Sequence, residues 1–213
     1  MEEKLATRDR ILHAAVNRIK HYGYSKTTMA EIAADCGMSP GNIYRFFEAK
    51  IDIAEAMARE HYAHEHATLS QIGRRKDLPP DKRLREMLLT RMRENYQMFS
   101  ENAKILEVAE VLSRERPLFM NELIALERVG IAALVEEGVA IGVFAPCDVD
   151  FTAEMIQSAT IKFGLPQLFS NLTLPKLERE FEGVMTLLLN GLYARGAEGS
   201  AASKGKAKEP AQH

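Results

Sequence analysis

Three imidazoles and a carboxylate, from His61, His64, Glu65 and His66, crowd into six residues of the chain. His61 and Glu65 stand at i and i+4 on one helix face, a spacing that can hold a metal ion. Two ligands on one exposed helix are too few for a metal site, and a solvated polar face accounts for the cluster. Neither cysteine, Cys36 or Cys147, has metal-type spacing. Cys36 reads as a small buried hydrophobe, and a disulfide is not expected in a cytosolic chain. No Gly-rich phosphate loop and no nucleophile motif is present. The chain is therefore expected not to be an enzyme and to need no metal or cofactor. The remaining chemistry is recognition by hydrogen bonds and charge, and it concentrates in residues 27–50, TTMAEIAADCGMSPGNIYRFFEAK.

Short helices must position that stretch. Thr28 stands three residues before Glu31, the spacing of a capping box, and Met29, Ile32 and Ala33 then share a face that Gly37 ends. Ser39 followed by Pro40 predicts a second start, an N-cap with proline at the first helical position, and a helix over about 40–46 anchored by Ile43 and Phe47. Two helices joined around a glycine have the proportions of a helix-turn-helix. Ahead of them, residues 7–21 carry Ile11, Ala14, Ala15 and Ile19 in an apolar stripe broken by Arg18, with Thr7 as cap and Gly23 as stop. This helix is too short to stand alone and should complete a three-helix head. The net charge of the whole chain is −2, but residues 1–50 hold eight basic and six acidic side chains, a net of +2. Local positive charge is what matters near phosphates.

A long charged helix is predicted over about 48–74, a lever from head to body, ended by Pro79 and Pro80. Five further helical patterns follow, over about 81–99, 102–114, 117–137, 151–164 and 175–193. The fourth opens at Asp148 and stops at Pro166; the third is apolar on two sides, as in a helix sandwiched in a bundle. With no alternating strand run, the fold class is all-α, about nine helices in a three-helix head plus a larger helical-bundle body. Residues 197–213 lack large apolar side chains and should be disordered. No apolar run approaches the roughly 20 residues that span a bilayer, and the charged N-terminus has no signal core, so no membrane contact and a cytoplasmic location are expected.

The segments TRDRILHAA, GYSKTTMAEIAADCGMS and GNIYRFFEAKIDI together resemble the DNA-binding head of the TetR family of transcriptional regulators, over residues 5–65. The resemblance implies a homodimer whose recognition helices enter successive major grooves of a palindromic double-stranded DNA operator, roughly 34–36 Å apart. Base-facing roles would fall on Ser39, Pro40, Gly41 and Asn42, with Gly41 letting the backbone approach the bases. Tyr44 and Lys50 match the family's phosphate contacts, Thr28 could bind phosphate at a helix N-terminus, and Arg45 is a further basic candidate. Phe46 departs from the pattern, since the family often has a hydroxyl or imidazole there.

Residues 66–196 would form an effector-binding and dimerisation domain. Met92, Tyr96, Phe99, Phe119, Met120, Leu123 and Phe163 could line a pocket for a small apolar effector, or simply build a core. Met155, Ala159, Phe181, Leu188 and Leu192 suit a helix-pair dimer interface. The expected function is a repressor released from its operator by that effector. The alternative is a helix-turn-helix interaction protein not controlled by a small molecule.

Overall fold

In a computed structural model, which describes residues 2–194, helices occupy nearly every stretch that the spacing predicts. They are α1 (Glu2–Tyr22), α2 (Met29–Asp35), α3 (Pro40–Ile43), α4 (Lys50–Gly73), α5 (Pro80–Glu101), α6 (Leu106–Glu115), α7 (Pro117–Ala140), α8 (Val149–Gly164), α9 (Pro166–Phe169) and α10 (Leu174–Leu192), with a 3-10 turn over Ala103–Ile105. The described residues form no strand, only an isolated bridge between Phe144 and Tyr193. The all-α expectation holds, and no helix is long and apolar enough to cross a membrane among the described residues. The predicted disordered tail, 197–213, lies outside them.

Two boundaries differ from expectation, and one short turn is added. α1 begins at Glu2, so Thr7 lies inside the helix rather than capping it; the preceding EEKLA run is made of good helix formers. α3 stops at Ile43, and the chain tightens into i→i+3 bonds such as Phe46 N to Ile43 O at 2.9 Å. α8 ends at Gly164, as the break at Pro166 predicts, and Pro166 also opens an unexpected single turn, α9, from its first position.

Two apolar clusters hold the molecule. The first joins Ile11, Leu12, Ile19, Ile32 and Ile43 of the head to Val108 and Leu112 of α6 and to Phe119 and Leu123 of α7. The second packs Leu84 and Met92 of α5, Ile131 and Val135 of α7, Ile156 and Phe163 of α8 and Leu177, Phe181 and Met185 of α10. α7 contributes its first half to one and its second half to the other, which is why its sequence is apolar on two sides. α4 does the same, with Ile53, Ala54 and Met57 in the head cluster and Leu69 in the body.

Candidate nucleic-acid interface

The start of α2 is a closed capping box. Glu31 N donates to Thr28 Oγ1 at 3.3 Å, and Thr28 N donates to Glu31 Oε2 at 2.9 Å. The Thr28 hydroxyl also donates to Glu31 Oε2, and this bond is the main reason the Glu31 carboxyl titrates below its usual range. At the other end Gly37 adopts φ +68°, the left-handed geometry that turns the chain toward α3 and lets Met38 N reach Ala33 O at 3.0 Å. Ser39 sits at the N-cap of α3 in extended geometry, but its hydroxyl makes no capping bond; Pro40 takes the first helical position as expected.

Ile43 and Phe47 are buried and pin α3 to the head core, which leaves one face outward. That face presents Ser39, Pro40, Gly41, Arg45 and the half-exposed ring of Tyr44, with Asn42 partly covered. A Cβ on Gly41 would meet nothing within 4 Å, so the helix start is bare. Phe46 turns the other way and packs against the head core.

Two cations that the sequence reading placed otherwise shape this surface. Arg18, there only a break in an apolar stripe, grips α2: Nε and Nη2 reach Asp35 at 2.6 and 3.0 Å, and Nη1 reaches Glu31 at 3.2 Å. The guanidinium holds the Asp35 carboxyl below its usual range and pairs both acids of α2. Lys50 points inward. Its Nζ donates to the carbonyls of Tyr24 and Thr27, both at 2.7 Å, and lies 4.1 Å from the Tyr24 ring centroid.

The body grips the same turn. Ser25 N donates to Glu107 Oε2 of α6 at 2.9 Å, Lys104 Nζ donates to His21 O, and Arg116 Nη2 meets Asp52 Oδ1 at 2.6 Å. These contacts join residues more than sixty positions apart in the chain, and no spacing announces them.

Among the described residues, two cavities are prominent. One of about 410 Å³ lies between α4, α5 and α7, and another of about 380 Å³ between α1, α4, α5 and α6. The residues expected to line one pocket are dispersed. Phe99 and Met120 line the second cavity and Leu123 the first; Met92, Phe119 and Phe163 are core, and Tyr96 packs against the body cluster. Glu65, read with the histidines as part of a solvated face, is buried and accepts from Asn95 Nδ2 at 2.9 Å.

Residues 11–57 match the family described as bacterial regulatory proteins, tetR family, and residues 80–185 match a tetracyclin repressor-like C-terminal domain. The chain belongs to the TetR family of transcriptional regulators. No curated protein matches it significantly. Solved structures of the TetR fold do resemble it. SmeT, the repressor of the Stenotrophomonas maltophilia multidrug efflux pump SmeDEF, aligns with TM-score 0.67 and 18% identity over 89% of this chain and 91% of its own. A TetR/AcrR regulator from Thermobifida fusca YX-ER1 gives 0.65 and 21% over 86% and 97%. RolR, in complex with resorcinol, gives 0.62 and 18% over 92% of each chain.

In this TetR-family regulator the residues expected at a dimer interface divide. Met155 and Ala159 are exposed on α8, and Leu188 and Leu192 are half-buried on α10. Phe181 is a correction: it is wholly buried, edge-on to Phe163 at 5.4 Å, because that face of α10 packs on α8. The outermost apolar side chain of α10 is Leu187, and Phe151 joins Met155 on α8.

Proposed function

We propose that this TetR-family regulator is a cytoplasmic homodimeric repressor that holds a palindromic operator and leaves it when a small, largely apolar effector fills the body. The observation that carries this reading is the core of the head. It continues without a break into α6 and α7, whose side chains also wall both cavities. A ligand that moves α4 or α7 must therefore move the recognition face. The neighbours support the same reading, one a repressor of an efflux pump and another bound to a small phenol.

In the head, residues 5–65, Ser39, Pro40, Gly41 and Asn42 face base edges, while Tyr44, Arg45 and the start of α2 at Thr28 meet phosphates. Lys50 acts first by holding the turn before α2. Phe46 gives no phosphate contact. Within the body, from 66 onward, the α8 and α10 faces around Phe151, Met155, Ala159, Leu187, Leu188 and Leu192 form the two-fold interface. For release, the effector must prefer the free form; a hundredfold preference corresponds to about 2.7 kcal/mol of coupling.

Selection of duplexes from a random pool with the purified protein tests this. Enrichment of a palindrome with half-sites about one helical turn apart is expected. Recovery of unpaired half-sites would overturn the dimeric reading, and palindrome binding that no small molecule perturbs would favour the interaction protein.

A further inference from the structure

The cavity between α4, α5 and α7 is a slot with a buried charged cluster on its wall. Along the α4 side it is lined from Arg59 to Arg74, a run of about 22 Å at 1.5 Å per residue. Leu69, Met87, Ile131 and Leu134 wall its middle. Part-way along, Glu65 from α4, Arg91 from α5 and Glu127 from α7 meet, with side-chain exposures of 6%, 11% and 13%. Arg91 Nη1 donates to Glu127 Oε1, while its Nε lies 3.4 Å from Glu65 Oε1 without hydrogen-bond alignment. Asn95 Nδ2 donates to that same Glu65 oxygen.

Two carboxylates thus share one guanidinium away from bulk water. The other charges on the slot do not offset the difference. Arg59 pairs with Glu55 and Glu122, Glu137 pairs with Arg83 and Lys76, and Arg74 stands exposed at the far end. His66 shares a hydrogen bond with Ser70 on the solvent side. A buried charge without a counter-charge is costly. The hydrogen bonds onto these carboxylates, from Arg91 to Glu127 and from Asn95 to Glu65, both end on Oε1.

We propose that the slot takes an elongated amphipathic monocation, with a protonated amine against Glu65 and Glu127 and an apolar body along Leu69, Met87 and Ile131. This rests on the reading of the body as an effector chamber and supplies the chemical class of the effector. An ammonium brings three N–H donors and restores neutrality at the cluster. A neutral alcohol satisfies oxygens but leaves the charge, and a carboxylate adds a third negative group beside two.

Calorimetric titration of the full-length protein at neutral pH with phenylbutylamine, phenylbutanol and phenylbutanoate tests the proposal on one apolar skeleton. The amine is expected to bind roughly tenfold or more tightly than the alcohol, and the carboxylate most weakly. Glu127→Gln keeps an acceptor for Arg91 and should remove the amine's advantage while sparing alcohol binding. Gly130→Leu, whose Cβ would stand 3.7 Å from Met87 Sδ, projects into the slot and should abolish binding of all three. Melting curves establish that both variants fold; if Glu127→Gln does not, the ligand ranking on the unmodified protein together with Gly130→Leu decides. Equal affinities, no amine binding, an amine advantage that survives Glu127→Gln, or undiminished binding in Gly130→Leu overturns the proposal. Selective amine binding that leaves the operator bound refutes the effector reading and leaves the slot's chemistry standing. Release of the operator by all three probes alike refutes the proposal and leaves the effector reading.

Discussion

Lys50 and Arg45 are five residues apart and both cationic, yet their surroundings give them different work. The Lys50 ammonium is shared between two carbonyl oxygens and an aromatic face, and burial pulls its pKa down from the usual lysine value. Arg45 is exposed on the outer face of the turn after α3. Lys50→Met should lower the unfolding free energy by about 1–2 kcal/mol, because two charge-assisted bonds to backbone oxygens are lost from a partly buried site. It should weaken DNA binding only through the loosened turn. Arg45→Ala should leave stability within about 0.5 kcal/mol and reduce the salt slope of DNA binding by about 1. Thermal melts and anisotropy titrations at several salt concentrations separate the two. A Lys50→Met protein that melts like the parent and loses a full unit of slope would restore Lys50 to direct phosphate contact.

At the scale of elements, the seam between α6 and the turn before α2 depends on Glu107. The Ser25 amide is the main cause that lowers the Glu107 pKa below its usual range. Its folded value lies below its unfolded one, so the contact stabilises the fold above the ordinary carboxylate value. That contribution is lost as pH falls through the folded value. Below about pH 5 the parent's melting temperature should therefore drop more steeply than that of Glu107→Gln, and the two should converge at lower pH. Parallel curves would show that the carboxylate is not the clasp. α7 offers a second test within one helix. A Cβ on Gly138 would fall 2.1 Å from Cδ2 of the buried Phe144 ring, whereas one on Gly130 would meet only Met87 Sδ at 3.7 Å. Gly138→Ala should destabilise by about 1–3 kcal/mol through overpacking. Gly130→Ala should be neutral or stabilising by up to about 1 kcal/mol, since alanine is the better helix former. Denaturant unfolding of the pair reads the difference directly.

For the whole molecule, the proposed homodimer requires a surface that meets a second copy. Leu187 is 77% exposed on α10 and Phe151 59% exposed on α8, large apolar side chains on the two helices at the C-terminal end of the bundle. The protein should sediment at twice its chain mass of 23.9 kDa. Leu187→Asp should yield a folded monomer that keeps its helicity and loses tight binding to the palindrome, because a single head contacts one half-site. A Leu187→Asp protein that remains dimeric would move the interface to another face.

Local signals decided the helices. Thr28 with Glu31, Gly37, Pro40, Asp148 and the three- and four-residue apolar steps act through bonds and contacts within a turn or two of chain, so the sequence displays them. The outward face of α3 was legible for the same reason, since Ile43 and Phe47 set which side turns inward. What only the tertiary structure decided lies in pairings across the fold. Arg18 on Asp35, Lys50 on the Tyr24 and Thr27 carbonyls, Glu107 on Ser25 and Glu65 beside Arg91 depend on where distant elements come to rest. So does the difference between Met92 or Phe163 in a core and Phe99 or Met120 on a cavity wall, and between Phe181 facing in and Leu187 facing out. An apolar residue at helical spacing says that it will be covered; only the packing of its neighbours says by what.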